Sequence, residues 1–150
     1  MLIPILLGSD SDRDHAKKIT DELDRFGVPY EVKVMSAHKV PELCVEYVAE
    51  MNKASDVVFI TCAGRSNGLS GVIAGSSVHP VIACPPFSSK EDYLINIHST
   101  LQMPSDTPVL TVIDQKNAAL AAVKILALND PALRKKVEAR INEIKKGFKE

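Results

Sequence analysis

Ser36, Ala37, His38 and Lys39 stand in a row, directly after the alternating run Tyr30-Glu31-Val32-Lys33-Val34-Met35 and just before Val40-Pro41-Glu42-Leu43. The run reads as a strand, and Pro41 as the first residue of a helix, where its missing N–H costs nothing. A hydroxyl, an imidazole and an ammonium are thus gathered at the carboxyl end of a strand. That is the edge of an open α/β sheet at which ligands bind. Histidine takes and gives a proton near neutral pH without special tuning, so His38 is the candidate general acid–base. Read alone, the same histidine could equally be a polar turn residue.

Two other segments carry chemistry-bearing side chains. Gly8-Ser9-Asp10-Ser11-Asp12 follows the apolar run Leu2–Leu7. Its hydroxyls could hold a phosphate and its carboxylates sugar hydroxyls, and two Ser-Asp pairs exceed what a helix cap needs. Ala63-Gly64-Arg65-Ser66-Asn67-Gly68-Leu69-Ser70-Gly71 contains three glycines, so backbone can approach a ligand closely. Arg65 could face an anion or solvent. GxGxxG and Walker spacings are absent, which argues against a dinucleotide or nucleoside triphosphate, and without GxSxG an α/β-hydrolase is not expected. His15 reads as solvated within a charged stretch, His79 as a loop residue and His98 as a surface or interface residue. None is spaced with cysteine or carboxylate as in a metal site, so no metal is expected.

These segments need a scaffold. Strands are expected at 2–7, 30–35, 56–61, 80–84 and 109–112, and helices at about 12–26, 41–52, 69–76, 90–101, 117–128 and 131–149. Strands alternating with helices five times predict one α/β domain, a three-layer αβα sandwich around a parallel sheet. Right-handed crossovers and the chain's size favour the flavodoxin-like order 2-1-3-4-5. The loops at 8–12, 36–39 and 63–71 then converge at the switch point between the first and third strands. A serine-glycine loop feeding a helix N-terminus there suits an anion such as phosphate. The chain is read as a single domain over 1–150, with an α/β core to 128 and a C-terminal helix over 130–149. Leu133, Val137, Ile141, Ile144 and Phe148 form a stripe on that helix, which is expected to pack on a neighbouring subunit.

The net charge of −1 offers nothing to nucleic acid or a membrane surface. The apolar N-terminal run is too short for a membrane span and lacks a basic flank or cleavage site. Cys44, Cys62 and Cys84 are odd in number, show no CxxC spacing and lie in apolar surroundings. They are expected to be buried reduced thiols of a cytoplasmic protein.

Gly8-Ser9-Asp10-Ser11-Asp12, Phe26-Gly27-Val28-Pro29-Tyr30-Glu31-Val32, Ser36-Ala37-His38-Lys39 and Leu101-Gln102-Met103-Pro104 together resemble the PurE family of purine biosynthesis, over about residues 3–128. The resemblance implies action on 5-aminoimidazole ribonucleotide or its carboxylated forms. One class of the family is a mutase that moves a carboxylate from N5 to ring carbon 4. The other is a carboxylase that uses carbon dioxide directly, without ATP, biotin or metal, so no cofactor is expected. The mutase loop reads Ala-Gly-Gly-Ala-Ala-His-Leu-Pro-Gly. The 63–71 loop here resembles the carboxylase form of animal enzymes instead, with Gly68 in place of the histidine. Lys39, where mutases have arginine, and Ile82-Ala83-Cys84-Pro85-Pro86 are also carboxylase-like. Ser70 and the 105–115 segment depart from the pattern.

The resemblance implies that His38 moves the carbon 4 proton and that Ser9, Asp12, Ser36 and Lys39 bind the ribose phosphate. Asp10, Ser11 and Ala37 complete that substrate-binding set. Arg65 and Ser66, with backbone of Gly64 and Gly68, would surround the carboxylate or carbon dioxide in a water-poor pocket. A homo-oligomer is implied, an octamer first and a tetramer as the alternative. The mutase is the nearer rival reading. The remote one is a non-enzymatic flavodoxin-like module such as a phospho-accepting receiver, which wants an aspartate ending the third strand where this chain has Thr61-Cys62-Ala63.

Overall fold

The computed structural model of the chain describes residues 1–148. Five parallel strands, β1 (Ile3–Leu7), β2 (Tyr30–Val34), β3 (Phe59–Cys62), β4 (Val81–Ala83) and β5 (Leu110–Thr111), form one sheet in the order β2-β1-β3-β4-β5. The helices are α1 (Arg13–Phe26), α2 (Pro41–Met51), α3 (Gly68–Ser76), α4 (Lys90–Asn96), α5 (His98–Leu101), α6 (Gln115–Leu126) and α7 (Pro131–Lys146). The expected three-layer fold and strand order are the observed ones.

Both faces of the sheet are covered, which is why β1 needs no polar alternation: all five of its residues are buried. Ile3, Ile5 and Leu7 point to one face, where Ile19 and Leu23 of α1 and Ala119, Ala122 and Val123 of α6 meet them. Leu6 points to the other, with Phe59, Val48 of α2 and Leu69 and Ile73 of α3. Each such aliphatic side chain contributes about 1.5–3 kcal/mol through burial. Gly27 ends α1 at φ 65°, a left-handed cap that glycine adopts at no steric cost.

Three elements differ from expectation. β3 starts at Phe59, not Asp56, because Asp56 takes φ 55° and turns the chain. The helix expected over 90–101 divides at Ile97. There the Thr100 N–H donates to the Ile97 carbonyl (2.9 Å), and the Ser99 hydroxyl donates to the Asn96 carbonyl (2.9 Å). The third correction concerns α7. Leu133 and Val137 are buried in the same cluster as α1 and α6, and the Lys136 ammonium donates to the Phe26 carbonyl at 2.7 Å. The first half of the stripe therefore packs on its own chain, because it continues the apolar face that α1 and α6 already present. Only Ile144 and Phe148 remain exposed. The expected end of the helix at Lys149 lies outside the described residues.

Candidate active site

All the loops that matter leave the carboxyl edge of the sheet. The turn after β1 is built by its own side chains: Ser9 Oγ accepts the Ser11 N–H (3.3 Å), and Asp12 Oδ2 accepts the Ser9 N–H (3.1 Å). This reciprocal capping aims the segment across the end of β1. After β2, Ser36 closes a tight turn, its carbonyl accepting from the Val40 N–H at 2.9 Å, and Pro41 begins α2. That turn presents His38 and Lys39 outward. After β3, Gly64 lies so close to the next loop that a Cβ would sit 2.7 Å from the Pro86 carbonyl oxygen. Ser66 follows at φ 45° and Gly68 opens α3.

These turns enclose a cleft of about 860 Å³. Of the residues singled out in the sequence, Ser9, Ser11, Asp12, Ser36, Ala37, His38, Lys39, Gly64, Arg65, Ser66 and Gly68 all line it. Asp10 does not. Its carboxylate is held by Arg13 at 2.6 Å on the outer side of the turn. The expectation of a water-poor pocket is also corrected for the single chain: His38, Lys39, Arg65 and Ser66 are exposed. The centre of the cleft is the contact of Gly68 with His38. A Cβ at position 68 would lie 2.8 Å from Nε2 and 3.0 Å from Cε1 of the imidazole. The ring thus rests against bare backbone.

Pro86, noted in the sequence only as carboxylase-like, forms a fourth wall with Phe87, Ser88 and Asp92, which carried no signal there. Phe87 is fixed by an edge-on contact with Tyr93 (5.2 Å between centroids). The available signal was Pro85-Pro86 directly after β4, at the same sheet edge as the other three loops. A second groove of about 770 Å³ lies between α1 and α7, walled by paired charges such as Glu22–Arg25 and Arg140–Glu143. It shares no lining residue with the cleft. Among the described residues, no three His, Cys, Asp or Glu side chains gather in a way that could hold a metal ion.

Burial raises the Asp12 carboxyl above its ordinary range, against the opposing pull of the Ser9 N–H. His15 is not the solvated residue its neighbours in sequence suggested. Its Nε2 lies 2.9 Å from the Cys84 carbonyl and its Nδ1 3.0 Å from the Gln115 amide. Donation to the carbonyl requires Nε2–H, which leaves Nδ1 to accept from Gln115, so the neutral ring satisfies both partners. Burial accordingly lowers its pKa below 6.5. The unfolded chain then binds a proton that the folded one refuses. The stability from His15 is present above pH 6.5 and lost as pH falls through the lower folded value. Chemical denaturation at a series of pH values should show this loss as pH falls below 6.5, and His15→Gln should flatten it. All three cysteines are buried, as expected, and burial pushes the Cys84 thiol up to about 12.

The sequence pattern of the AIR carboxylase family matches residues 2–147. The chain belongs to that family. The phosphoribosylaminoimidazole carboxylase of Archaeoglobus fulgidus is 46% identical over 133 residues, covering 89% of this chain and 73% of the relative. The N5-carboxyaminoimidazole ribonucleotide mutase of Methanocaldococcus jannaschii is 44% identical over 147 residues, 97% of this chain and 91% of that one. The crystal structure of Treponema denticola PurE superposes with a TM-score of 0.90 at 38% identity, covering 98% and 93% of the two chains. The family therefore accounts for the fold and for an enzyme of purine biosynthesis. Relatives named for both reactions match about equally well, so overall identity does not sort AIR carboxylases from mutases. Among the described residues, no helix is long and apolar enough to cross a membrane.

Proposed function

We propose that the chain carboxylates 5-aminoimidazole ribonucleotide at ring carbon 4 with free carbon dioxide, with His38 as general acid–base. The observation that carries this reading is the contact of Gly68 with His38. The family's mutases have histidine at the matching loop position. Here the space such a side chain would enter is taken by the His38 ring itself, and Arg65 and Ser66 supply the loop's polar groups instead. One imidazole and one guanidinium suit the capture of a neutral molecule that becomes an anion as it reacts.

The aminoimidazole is an enamine, so carbon 4 is already nucleophilic. Its electron pair forms the new bond to the carbon of carbon dioxide, and a C=O pair moves onto oxygen to give the carboxylate. Carbon 4 then holds both that carboxylate and its proton, and aromaticity is lost. His38 takes the proton, the C–H pair returns to the ring, and the imidazolium later releases the proton to solvent. In reverse, the imidazolium protonates carbon 4 and carbon dioxide departs. Positioning the two reactants supplies most of the remaining advantage. In this reading Ser9, Ser11, Asp12, Ser36, Ala37 and Lys39 hold the ribose phosphate. Gly64, Arg65, Ser66 and Gly68 surround the carboxylate.

The deciding assay offers 5-aminoimidazole ribonucleotide with bicarbonate, or the N5-carboxylated nucleotide, each with and without carbonic anhydrase. Turnover of the first that carbonic anhydrase speeds is expected. Fast conversion of the second, indifferent to removal of free carbon dioxide, would make the chain a mutase. In calorimetry, Asp12→Ala and Lys39→Ala should each weaken nucleotide binding by about tenfold or more, as loss of one charged contact does. A variant that binds like the parent is not part of the ribose-phosphate site.

We further propose a homo-oligomer, an octamer before a tetramer, at work in the cytoplasm as a single-domain subunit. Leu94, Ile95 and Leu101 on α4 and α5 are more than half exposed in the single chain (54%, 72% and 57%), as is Phe148 after α7 (87%), which supports a covered state. Light scattering should report the assembly, and a monomer at working concentration would refute it.

A further inference from the structure

Asn67 is the one loop residue between Arg65 and Gly68 that faces away from the cleft, and it is nearly fully buried (3% exposed). Every polar group it brings inside has a partner on a neighbouring element. Its N–H donates to Ser99 Oγ (2.9 Å), its Nδ2 donates to Thr100 Oγ1 (3.0 Å), and its Oδ1 accepts the Ser70 N–H (3.2 Å). Just before it Ser66 sits at φ 45°, a conformation that a non-glycine residue keeps only when its surroundings enforce it. The chain of bonds goes on. Ser99 Oγ donates to the Asn96 carbonyl (2.9 Å), and Asn96 Nδ2 donates to Asp92 Oδ1 (2.6 Å). Asp92 Oδ2 accepts both the N–H and the hydroxyl of Ser88 (2.8 and 2.9 Å). Ser88 and Asp92 line the opposite wall of the cleft.

We propose that Asn67, latched to α5 through Ser99 and Thr100, is a positioning residue that holds the 64–68 loop in register with His38 and couples it to the Ser88–Asp92 wall. The loop sets where Arg65 and Ser66 stand, and Gly68 sets where the imidazole rests, so a slack loop would misplace both reacting partners at once. A displacement of about 1 Å is enough to cost a large factor in rate when catalysis depends on positioning. Ser99 and Thr100 stand just beyond the break at Ile97, and both bond Asn67.

The inference rests on the carboxylase reading for its kinetic arm but not for its structural arm. Asn67→Ala strips several buried bonds and could fail to fold, so the test uses Ser99→Ala and Ser99→Thr in the full chain. Hydrogen exchange at the Asn67 amide reads the latch directly. It should run at least tenfold faster in Ser99→Ala and return toward the parent rate in Ser99→Thr. In carboxylation assays Ser99→Ala should lower kcat about tenfold while KM for the nucleotide stays within twofold, and Ser99→Thr should restore most of kcat. Unchanged exchange in Ser99→Ala overturns the latch. Faster exchange with an unchanged kcat overturns the positioning role and leaves a merely structural bond. If the parent converts neither nucleotide, the carboxylase reading is what has failed, and the exchange rates still decide the latch.

Discussion

His38→Asn is expected to fold, bind nucleotide and lose nearly all turnover. The side chain stands exposed at the end of a turn whose backbone bonds run from the Ser36 carbonyl to the Lys39 and Val40 N–H groups, and none of these needs the imidazole. Asparagine keeps a planar polar group, shorter than the imidazole, but cannot carry a proton between carbon 4 and solvent. General acid–base catalysis contributes roughly 10²–10⁴-fold, and a loss in that range is expected in kcat. Calorimetric affinity within about threefold of the parent, the scatter typical of such contacts, would separate this from lost binding. Near-normal turnover in the variant would remove His38 from the chemistry.

Gly68→Ala should do by crowding what His38→Asn does by deletion. The added methyl carbon would lie 2.8 Å from Nε2 and 3.0 Å from Cε1, and both are the far end of a side chain that can swing into solvent. The backbone at Gly68 has no positive φ to forbid alanine. Alanine is the better helix former by up to about 1 kcal/mol, and position 68 is the first residue of α3. The variant should therefore melt at or above the parent temperature while kcat falls by about 10²-fold, the lower bound for a mispositioned acid–base group. Thermal melting beside steady-state kinetics tests both halves. A variant that keeps full activity would show that the ring need not rest on Gly68, and that this contact does not mark a carboxylase.

The parts of this molecule that periodicity controls were legible before any coordinates. The five apolar runs, Gly27 as a helix end and Pro41 as a helix start all reflect local rules, and together they dictate the parallel sheet. The cleft was legible for the three loops whose side chains look like chemistry. It was not legible for the wall after β4, because nothing local to Pro86 and Phe87 looks like chemistry, and only the sheet edge brings Pro86 against Gly64. Asp10 and Asp12 look equivalent in the sequence. Capping geometry separates them, turning Asp12 back to the Ser9 N–H and leaving Asp10 to Arg13. His15 was misread for a related reason: its polar partners, Cys84 and Gln115, are 69 and 100 positions away. The α7 stripe showed an apolar face but not whose core it would meet.

β1 lies inside the sheet, between β2 and β3, yet precedes every other strand in the chain. During synthesis it finds a partner on one edge only when residues 30–34 have emerged, and on the other only with residues 60–62. Its α1-side face is covered by α1 alone until α6 (Gln115–Leu126) arrives to pack beside α1. Until β3 has emerged the ribosome thus carries Ile3-Pro4-Ile5-Leu6-Leu7 as an incompletely paired, apolar, strand-forming segment. Such segments are the sticky ones while a chain is incomplete, and chaperones meet them at this stage. Pro4 lies within this stretch, and a residue without an N–H weakens its capacity to template another strand. This interior strand of the finished enzyme is therefore a hazard before completion. A fragment ending ahead of α6 should be recovered largely in inclusion bodies.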